Sequence, residues 1–392
     1  MSNTQKKNVP ELRFPGFEGE WEEKKLGEVG TFTSGGTPLK SKSEYWNGDI
    51  PWITTGDIHN IKRENITNFI TEKGLNESSA KLITNEAILI AMYGQGKTRG
   101  MSAILNFEAT TNQACAIYQT NQNINFVFQY FQKLYKFLRS LSNEGSQKNL
   151  SLSLLKEITL NYPNEQEQKK IGVFFSKLDR QIELEEQKLE LLQQQKKGYM
   201  QKIFSQELRF KDENGEDYPE WEERRFADIF KFHNKLRKPI KENLRVKGSY
   251  PYYGATGIID YVDDFIFDGN YLLIGEDGAN IITRSAPLVY LVNGKFWVNN
   301  HAHILSPLNG NIQYLYQVAE LVNYEKYNTG TAQPKLNIQN LKIISVVIST
   351  NLEEQQKIGS FLSKLDRQID LEEQKLELLQ QRKKALLKLM FV

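Results

Sequence analysis

Residues 167–197 read EQKKIGVFFSKLDRQIELEEQKLELLQQQKK, and residues 354–384 read EQQKIGSFLSKLDRQIDLEEQKLELLQQRKK. Over 31 positions they differ at five, Lys169/Gln356, Val173/Ser360, Phe175/Leu362, Glu183/Asp370 and Gln195/Arg382, at a constant offset of 187 residues. Chance does not produce such a match, so the chain contains an internal duplication. Neither stretch holds a proline, and their only glycines, Gly172 and Gly359, lie near the start. Leu, Gln, Glu and Lys dominate, and these are good helix formers. Each stretch predicts a helix of about 40 residues, about 60 Å long at 1.5 Å per residue.

Apolar residues fall at Phe175, Leu178, Ile182, Leu189 and Leu192, with counterparts Leu362, Leu365, Ile369, Leu376 and Leu379. The steps of 3, 4, 7 and 3 skip one seam position, filled by Glu185 and Glu372, so the heptad is imperfect. A single apolar stripe on so long a helix needs a partner, and the twin helix is the obvious one. Burial of each stripe in the core of a separate domain is the alternative.

A second repeat sits at the front of each half. Glu11-Leu12-Arg13-Phe14 leads to Glu20-Trp21-Glu22-Glu23, and Glu207-Leu208-Arg209-Phe210 leads to Glu220-Trp221-Glu222-Glu223. Between these ends, residues 30–140 and 230–325 share no obvious motif. The layout is frame, insert, frame, insert. The expected segments are residues 1–163, 164–206, 207–348 and 349–392, two mixed domains alternating with two helices. Strands are expected around Ala87 to Ala91, Leu272 to Ile274 and Phe296 to Val298, and amphipathic helices over residues 125–141 and 312–322.

Composition narrows the function classes. The 392 residues carry 50 basic and 48 acidic side chains, a net charge of +2, without the basic excess usual in nucleic-acid binders. Local clusters survive that average. Residues 231–247 hold seven bases, Lys231, Lys235, Arg237, Lys238, Lys241, Arg245 and Lys247, against the single acid Glu242. That segment reads either as a solvated face or as an edge that contacts phosphates. One cysteine, Cys115, excludes an intrachain disulfide and a multi-cysteine zinc site. No apolar run approaches the roughly 20 residues of a membrane span, and the N-terminus lacks a signal-peptide core. A cytoplasmic location is the expectation.

Catalytic motifs are sparse. Gly94-Gln95-Gly96-Lys97-Thr98 suggests a phosphate loop, but Ala91 stands where a Walker A glycine belongs, and the residues after it read as a returning strand. His301 and His303 would share a strand face without any accompanying metal-ligand pattern. The acids Asp260, Asp263, Asp264 and Asp268 have no nuclease-type lysine partner and read as a solvated loop. No metal is expected, and no methyltransferase motif is present.

The duplication, the order of the motifs and the helical frame together resemble the specificity subunit of type I restriction–modification systems over essentially the whole chain. The resemblance is carried by Gly36-Thr37-Pro38, residues 45–53 (YWNGDIPWI) and Gly56-Asp57-Ile58 in the first insert. In the second it is carried by residues 253–257 (YGATG), 275–278 (GEDG) and 297–303 (WVNNHAH). It implies an α+β chain in which two α/β target recognition domains, related by internal duplication, are separated by two long helices forming an antiparallel coiled coil. It implies a non-catalytic chain that reads a bipartite site in double-stranded DNA and docks two methyltransferase subunits and restriction–translocase subunits. S-adenosylmethionine, ATP and Mg²⁺ would be used by those partners, and no cofactor by this chain.

The residues expected to contact DNA in the first insert are Thr54, Thr55, Asp57, His59, Lys62, Arg63, Tyr93, Gln95, Lys97 and Arg99. In the second they are Lys235, Arg237, Lys238, Lys241, Arg245, Lys247, Tyr252, Tyr253, Thr256, Arg284, Asn299, Asn300 and His301. Asn and Gln suit adenine, and Arg and Lys suit guanine or phosphate. Because the inserts have diverged, the two half-sites should differ. A coiled-coil scaffold joining two protein-binding domains, without DNA, is the competing reading that the near-zero net charge allows.

Overall fold

A computed structural model describes residues 8–94, 97–141, 149–330 and 333–392. The first half runs β1 (Glu22–Lys25), β2 (Gly30–Ser34), β3 (Trp46–Ile53), β4 (Phe69–Ile70), α1 (Glu72–Asn76), β5 (Ala87–Ala91), β6 (Ser102–Leu105), β7 (Thr110–Thr111) and β8 (Cys115–Thr120). It closes with α2 (Ile124–Ser140), α3 (Leu152–Lys156), β9 (Thr159–Tyr162) and the long α4 (Glu165–Phe204). The second half runs β10 (Glu222–Arg225), α5 (Phe226–Ile229), β11 (Phe230–Phe232), β12 (Lys247–Gly254), β13 (Gly257–Val262), β14 (Phe267–Gly275), α6 (Asn280–Thr283), β15 (Val289–Val298) and β16 (Ala302–Pro307). It closes with α7 (Ile312–Glu320), α8 (Ile338–Lys342), β17 (Ser345–Ile348) and the long α9 (Leu352–Met390).

The chain divides into two compact units, Met1–Gln187 with Gln374–Val392, and Lys188–Glu373. This differs from the four-segment layout read from the sequence, because each long helix is shared between units rather than standing apart. The reason is where the stripe residues go. Ile171, Phe175 and Leu178 of α4 are buried in the core of the first unit with Phe126, Tyr130 and Phe391. Ile358 and Leu362 of α9 enter the core of the second with Phe226, Tyr314 and Leu341. The start of each helix is therefore core of its own insert, its end enters the core of the other unit (Ile203 of α4, Leu387 and Met390 of α9), and the middle faces the twin helix.

Within each unit the helices run antiparallel. In the first, Lys383 pairs with Asp179 at 2.6 Å, Lys375 pairs with Glu185, and Gln380 donates to Glu186 at 3.2 Å. In the second, Lys188 pairs with Glu372 at 2.6 Å, Lys196 pairs with Asp366, and Gln193 donates to Glu373 at 3.3 Å. Each contact of one unit recurs in the other between residues 187 positions away. Glu185 and Glu372, which break the heptad, receive Lys375 and Lys188, so the skipped seam position is an ion pair. Ile182, Leu189, Leu192, Leu365, Ile369 and Leu376 are half-buried along the seam, and Leu379 is buried.

The inserts differ in sheet topology. The first has a four-stranded sheet in the order β2-β8-β5-β6 and a three-stranded one, β4-β3-β7; the second has six strands in the order β11-β16-β14-β15-β12-β13. The front repeat forms the same two-stranded ribbon in both units, β1 with β9 and β10 with β17. The acidic stretch is not a single loop: Asp260 lies in β13 and Asp268 in β14. The strongly apolar β5 and the returning β6 form the expected hairpin, with Ala87 opposite Leu105.

The inserts also share a motif that sequence inspection missed. Asn123-Ile124-Asn125-Phe126-Val127-Phe128-Gln129 corresponds to Asn311-Ile312-Gln313-Tyr314-Leu315-Tyr316-Gln317. Asn123 and Asn311 cap α2 and α7 by accepting from the N–H of Phe126 and Tyr314. Gln129 and Gln317 donate to Asp179 and Asp366. Gly172 and Gly359 lie directly under these caps. A Cβ at Gly172 would stand 2.6 Å from Asn123 Oδ1 and 3.1 Å from the Phe126 nitrogen, and one at Gly359 would stand 2.5 Å from Asn311 Oδ1.

The expected outcome is that Gly172→Ala or Gly359→Ala lowers stability by about 1–3 kcal/mol, since the capping oxygen cannot retreat without losing its bond. Gly198→Ala, in the same helix with nothing within 4 Å of its Cβ position, should instead gain about 0.5–1 kcal/mol. Urea unfolding of the three variants checks both signs.

Candidate nucleic-acid interface

In the first insert, the turn after β3 is held from within. Asp57 accepts from both the N–H and the hydroxyl of Thr54 at 2.7 Å, and Ile58 anchors the turn in the core. Thr55 is half-buried, His59 is exposed, and Arg63 is exposed one short turn later. Asp57 thus shapes the turn rather than facing solvent as a reading group. Lys62 does not face solvent freely: its ammonium bonds Glu183 of α4, whose carboxyl this bond, with Arg180, holds below the usual range.

The loop between β5 and β6 carries Tyr93, 39% exposed, and an exposed Lys97. Gln95 lies outside the described residues. Arg99 turns inward and donates to the Arg139 carbonyl at the end of α2, where a cation suits the helix terminus. The Lys97 carbonyl accepts from Tyr135, so the loop is tied to α2 at two points.

In the second insert, residues 231–247 separate into two kinds of base. Lys235, Lys238, Lys241 and Lys247 are exposed. Arg237 is held by Glu276 at 2.5 Å and by the carbonyls of Asn300 and Ala302. Arg245 bonds Asp260 at 3.1 Å and lies over the ring of Tyr252. The Tyr261 N–H and Arg245 together hold the Asp260 carboxyl below its ordinary range. Tyr252 is 1% exposed and its hydroxyl accepts from Ile240 N–H. Arg237, Arg245 and Tyr252, expected as DNA contacts, instead fasten the basic segment to the sheet and leave the lysines outside.

Asn299 is similarly internal, 6% exposed, with its side-chain oxygen accepting from His301 N–H. Arg284 sits in a left-handed turn at φ 47° and pairs with Glu320 at 2.9 Å. Tyr253 is half-buried; Thr256, Asn300 and His301 are exposed, the last bonded to Asp277 at 2.6 Å. The exposed set in this insert is four lysines with Thr256, Asn300 and His301. That combination offers positive charge together with side-chain hydrogen-bond donors and acceptors, the chemistry that phosphates and base edges require.

His301 and His303 do not form a metal site; among the described residues no group of three His, Cys, Asp or Glu side chains could hold an ion. His303 is buried between Asn234, whose amide is 2.7 Å from Nδ1, and the Leu336 carbonyl, 2.7 Å from Nε2. Nε2 donates to the Leu336 carbonyl, and the Asn234 amide, whose oxygen accepts from Ile304 N–H, donates to Nδ1, so the arrangement suits the neutral ring. Cys115 is buried as well, which pushes its thiol up to about 12. Among the described residues, no helix is long and apolar enough to cross a membrane.

Burial holds the His303 imidazole below its ordinary 6.5. Below that pH the unfolded chain takes up a proton that the folded chain refuses, so this term stabilises above 6.5 and is lost as pH falls. The thermal midpoint should therefore decline from pH 7 to pH 5, and His303→Gln, which keeps a donor and an acceptor, should flatten that decline. An equal slope in the variant overturns the assignment.

The family described as type I restriction modification DNA specificity domain matches residues 18–194 and 218–381. The MjaIX specificity subunit of Methanocaldococcus jannaschii is 26% identical over 84% of this chain and 83% of its own length. The EcoprrI specificity subunit of Escherichia coli is 27% identical over 90% and 88%. A crystal structure of the type I system S subunit from M. genitalium superposes with a TM-score of 0.72 at 18% identity, covering 98% of this chain and 99% of that one.

Proposed function

This chain belongs to the type I restriction–modification DNA specificity family, and we propose that it is the non-catalytic, sequence-reading subunit of such a complex. The observation that carries the reading is a nearly identical helical frame bearing two inserts of different sheet topology. Two different reading surfaces on one mount read two different half-sites, so the target is an asymmetric, bipartite sequence in double-stranded DNA. Joining both readers in one chain makes the second contact intramolecular and raises affinity. Methyltransferase subunits, two per chain, and restriction–translocase subunits dock on the polar faces of the frame. S-adenosylmethionine, ATP and Mg²⁺ chemistry belongs to those partners. The complex acts in the cytoplasm.

The exposed Lys235, Lys238, Lys241 and Lys247 contact phosphates. Replacing all four by Ala should weaken duplex binding on every sequence. It should also make the salt dependence of log K shallower by about 0.9 for each phosphate that is no longer neutralised. A mobility-shift titration across salt concentrations checks this. An unchanged slope overturns the phosphate role, and absence of duplex binding by the chain favours the protein scaffold.

Modularity is tested by methylation mapping in cells that also supply the partner subunits. Exchanging residues 30–145 for the insert of a relative should change one half-site and leave the other. A change in both overturns independent reading. A third variant tests the helices as a spacer. Because Lys188–Glu372 and Glu185–Lys375 pair the helices, four residues are added to both, after Gln187 and after Glu373. Four residues advance a helix by about 6 Å with a net rotation of about 40°, against about 3.4 Å per base pair. The unread gap should lengthen by about one or two base pairs; an active complex with the original gap overturns the spacer role.

A further inference from the structure

Three stretches that the sequence singled out in the second insert meet at one histidine. The His301 carbonyl accepts from the Glu276 N–H at 2.8 Å, and the His301 N–H donates to the Asn299 side chain at 2.8 Å. Asn299 in turn donates its own N–H to the Tyr253 carbonyl at 3.0 Å. Arg237 binds the carbonyls on either side of His301, those of Asn300 and Ala302, and the Glu276 carboxylate. With Glu276 taken up by Arg237, Asp277 is left to the ring, and its Oδ2 lies 2.6 Å from Nδ1.

A carboxylate only accepts hydrogen bonds, so the proton between the two groups belongs to Nδ1. In the neutral ring Nε2 then carries the lone pair. Among the described residues nothing bonds this Nε2, and the side chain is 49% exposed. His303 differs, since both of its ring nitrogens are engaged internally. The first insert repeats the device on a sheet of different topology. His59, exposed on the turn after β3, has its Nδ1 2.6 Å from the Gly56 carbonyl, again a group that can only accept. Its Nε2 likewise has no partner among the described residues. What the two inserts share here is a ring tautomer rather than a sequence motif.

We propose that each insert presents one tautomer-locked histidine, His59 or His301, whose Nε2 accepts a hydrogen bond from an amino base in the major groove. This rests on the DNA-reading role proposed above. The lone pair accepts from adenine N6 or cytosine N4, and it meets another acceptor at guanine O6 or thymine O4. Asp277 and the Gly56 carbonyl are positioning groups: they touch no base, and they fix which edge of the ring accepts. A ring free to exchange tautomers would take either kind of base, so the lock supplies the discrimination.

The lock is read first without DNA, in two-bond proton–nitrogen spectra of the full chain labelled with ¹⁵N-histidine. At alkaline pH, where an imidazole is neutral, His301 should carry its proton on Nδ1, its signals being those absent from His301→Ala. Asp277→Asn, whose amide can donate as well as accept, should populate the other tautomer. A wild-type ring protonated on Nε2, or an Asp277→Asn ring identical to the wild type, overturns the proposal. Methylation mapping in cells that supply the partner subunits then locates the target. His301→Ala should relax a single position of one half-site, and His59→Ala a single position of the other. At the His301 position the amino base is replaced by its deamino analogue, purine for adenine or 2-pyrimidinone for cytosine. That change should weaken duplex binding by the wild type about tenfold, the cost of one unmet hydrogen bond, and should not weaken binding by His301→Ala. Equal loss in both proteins, or relaxation at no position or at several, overturns the proposal. A wild-type complex without any mapped target overturns the DNA reading instead, and is told apart by spectra that still show the locked ring.

Discussion

A buried carboxylate in the first turn of each long helix is the fixed point of this protein. Glu167 and Glu354 have fully buried side chains. Arg13 grips Glu167 through two nitrogens at 2.7 Å, and Arg209 grips Glu354 between 3.2 and 3.3 Å. Each guanidinium also binds carbonyls of the preceding segment, Glu18 and Gly19 in one unit, Tyr218 and Pro219 in the other. A helix N-terminus favours the negative charge. The pair must remain intact, because removing one partner leaves an uncompensated buried ion at a cost of about 3–5 kcal/mol. One contact thus sets the front segment, the two-stranded ribbon and the helix start in mutual register.

Upon that clamp the two units build the same mount for different sheets. The ribbon, the capping asparagine above its glycine and the glutamine–aspartate bond recur with both partners shifted. The insert is thereby free to change its strands without disturbing the helix. The second insert shows how a basic surface is kept open on such a mount. Arginines and a tyrosine hold the basic segment from inside, and lysines, whose flexible stems tolerate a solvated position, carry the outward charge. The first insert commits one of its lysines, Lys62, to the frame itself. The two units are thus alike in backbone logic and unlike in which charges they leave exposed.

The duplication, the two long helices, the hairpin of β5 and β6 and the seam residues were legible in the sequence because each rests on local periodicity or literal repetition. All ten seam residues are buried or half-buried. The Asn-Ile motif of α2 and α7 carried the same kind of signal, weakened by substitution within aromatic and amide classes, and is recognised once the two glycines are seen packing beneath it. The candidate interface was legible only as loops. Nothing in the one-dimensional pattern distinguishes Arg237 from Lys238, yet the first bonds Glu276 and two carbonyls while the second faces water.

The sequence by itself determined the family, the duplicated frame and the periodic burial of its helices, since these follow from residue type and spacing along one chain. Tertiary structure alone decided how each helix is divided between its insert's core and its partner, and which charged residues are consumed internally. That division has a physical cause. A side chain's partner is set by three-dimensional proximity across long stretches of chain, 194 residues for Gln380 and Glu186, and a buried charge must find such a partner before any surface role is open to it.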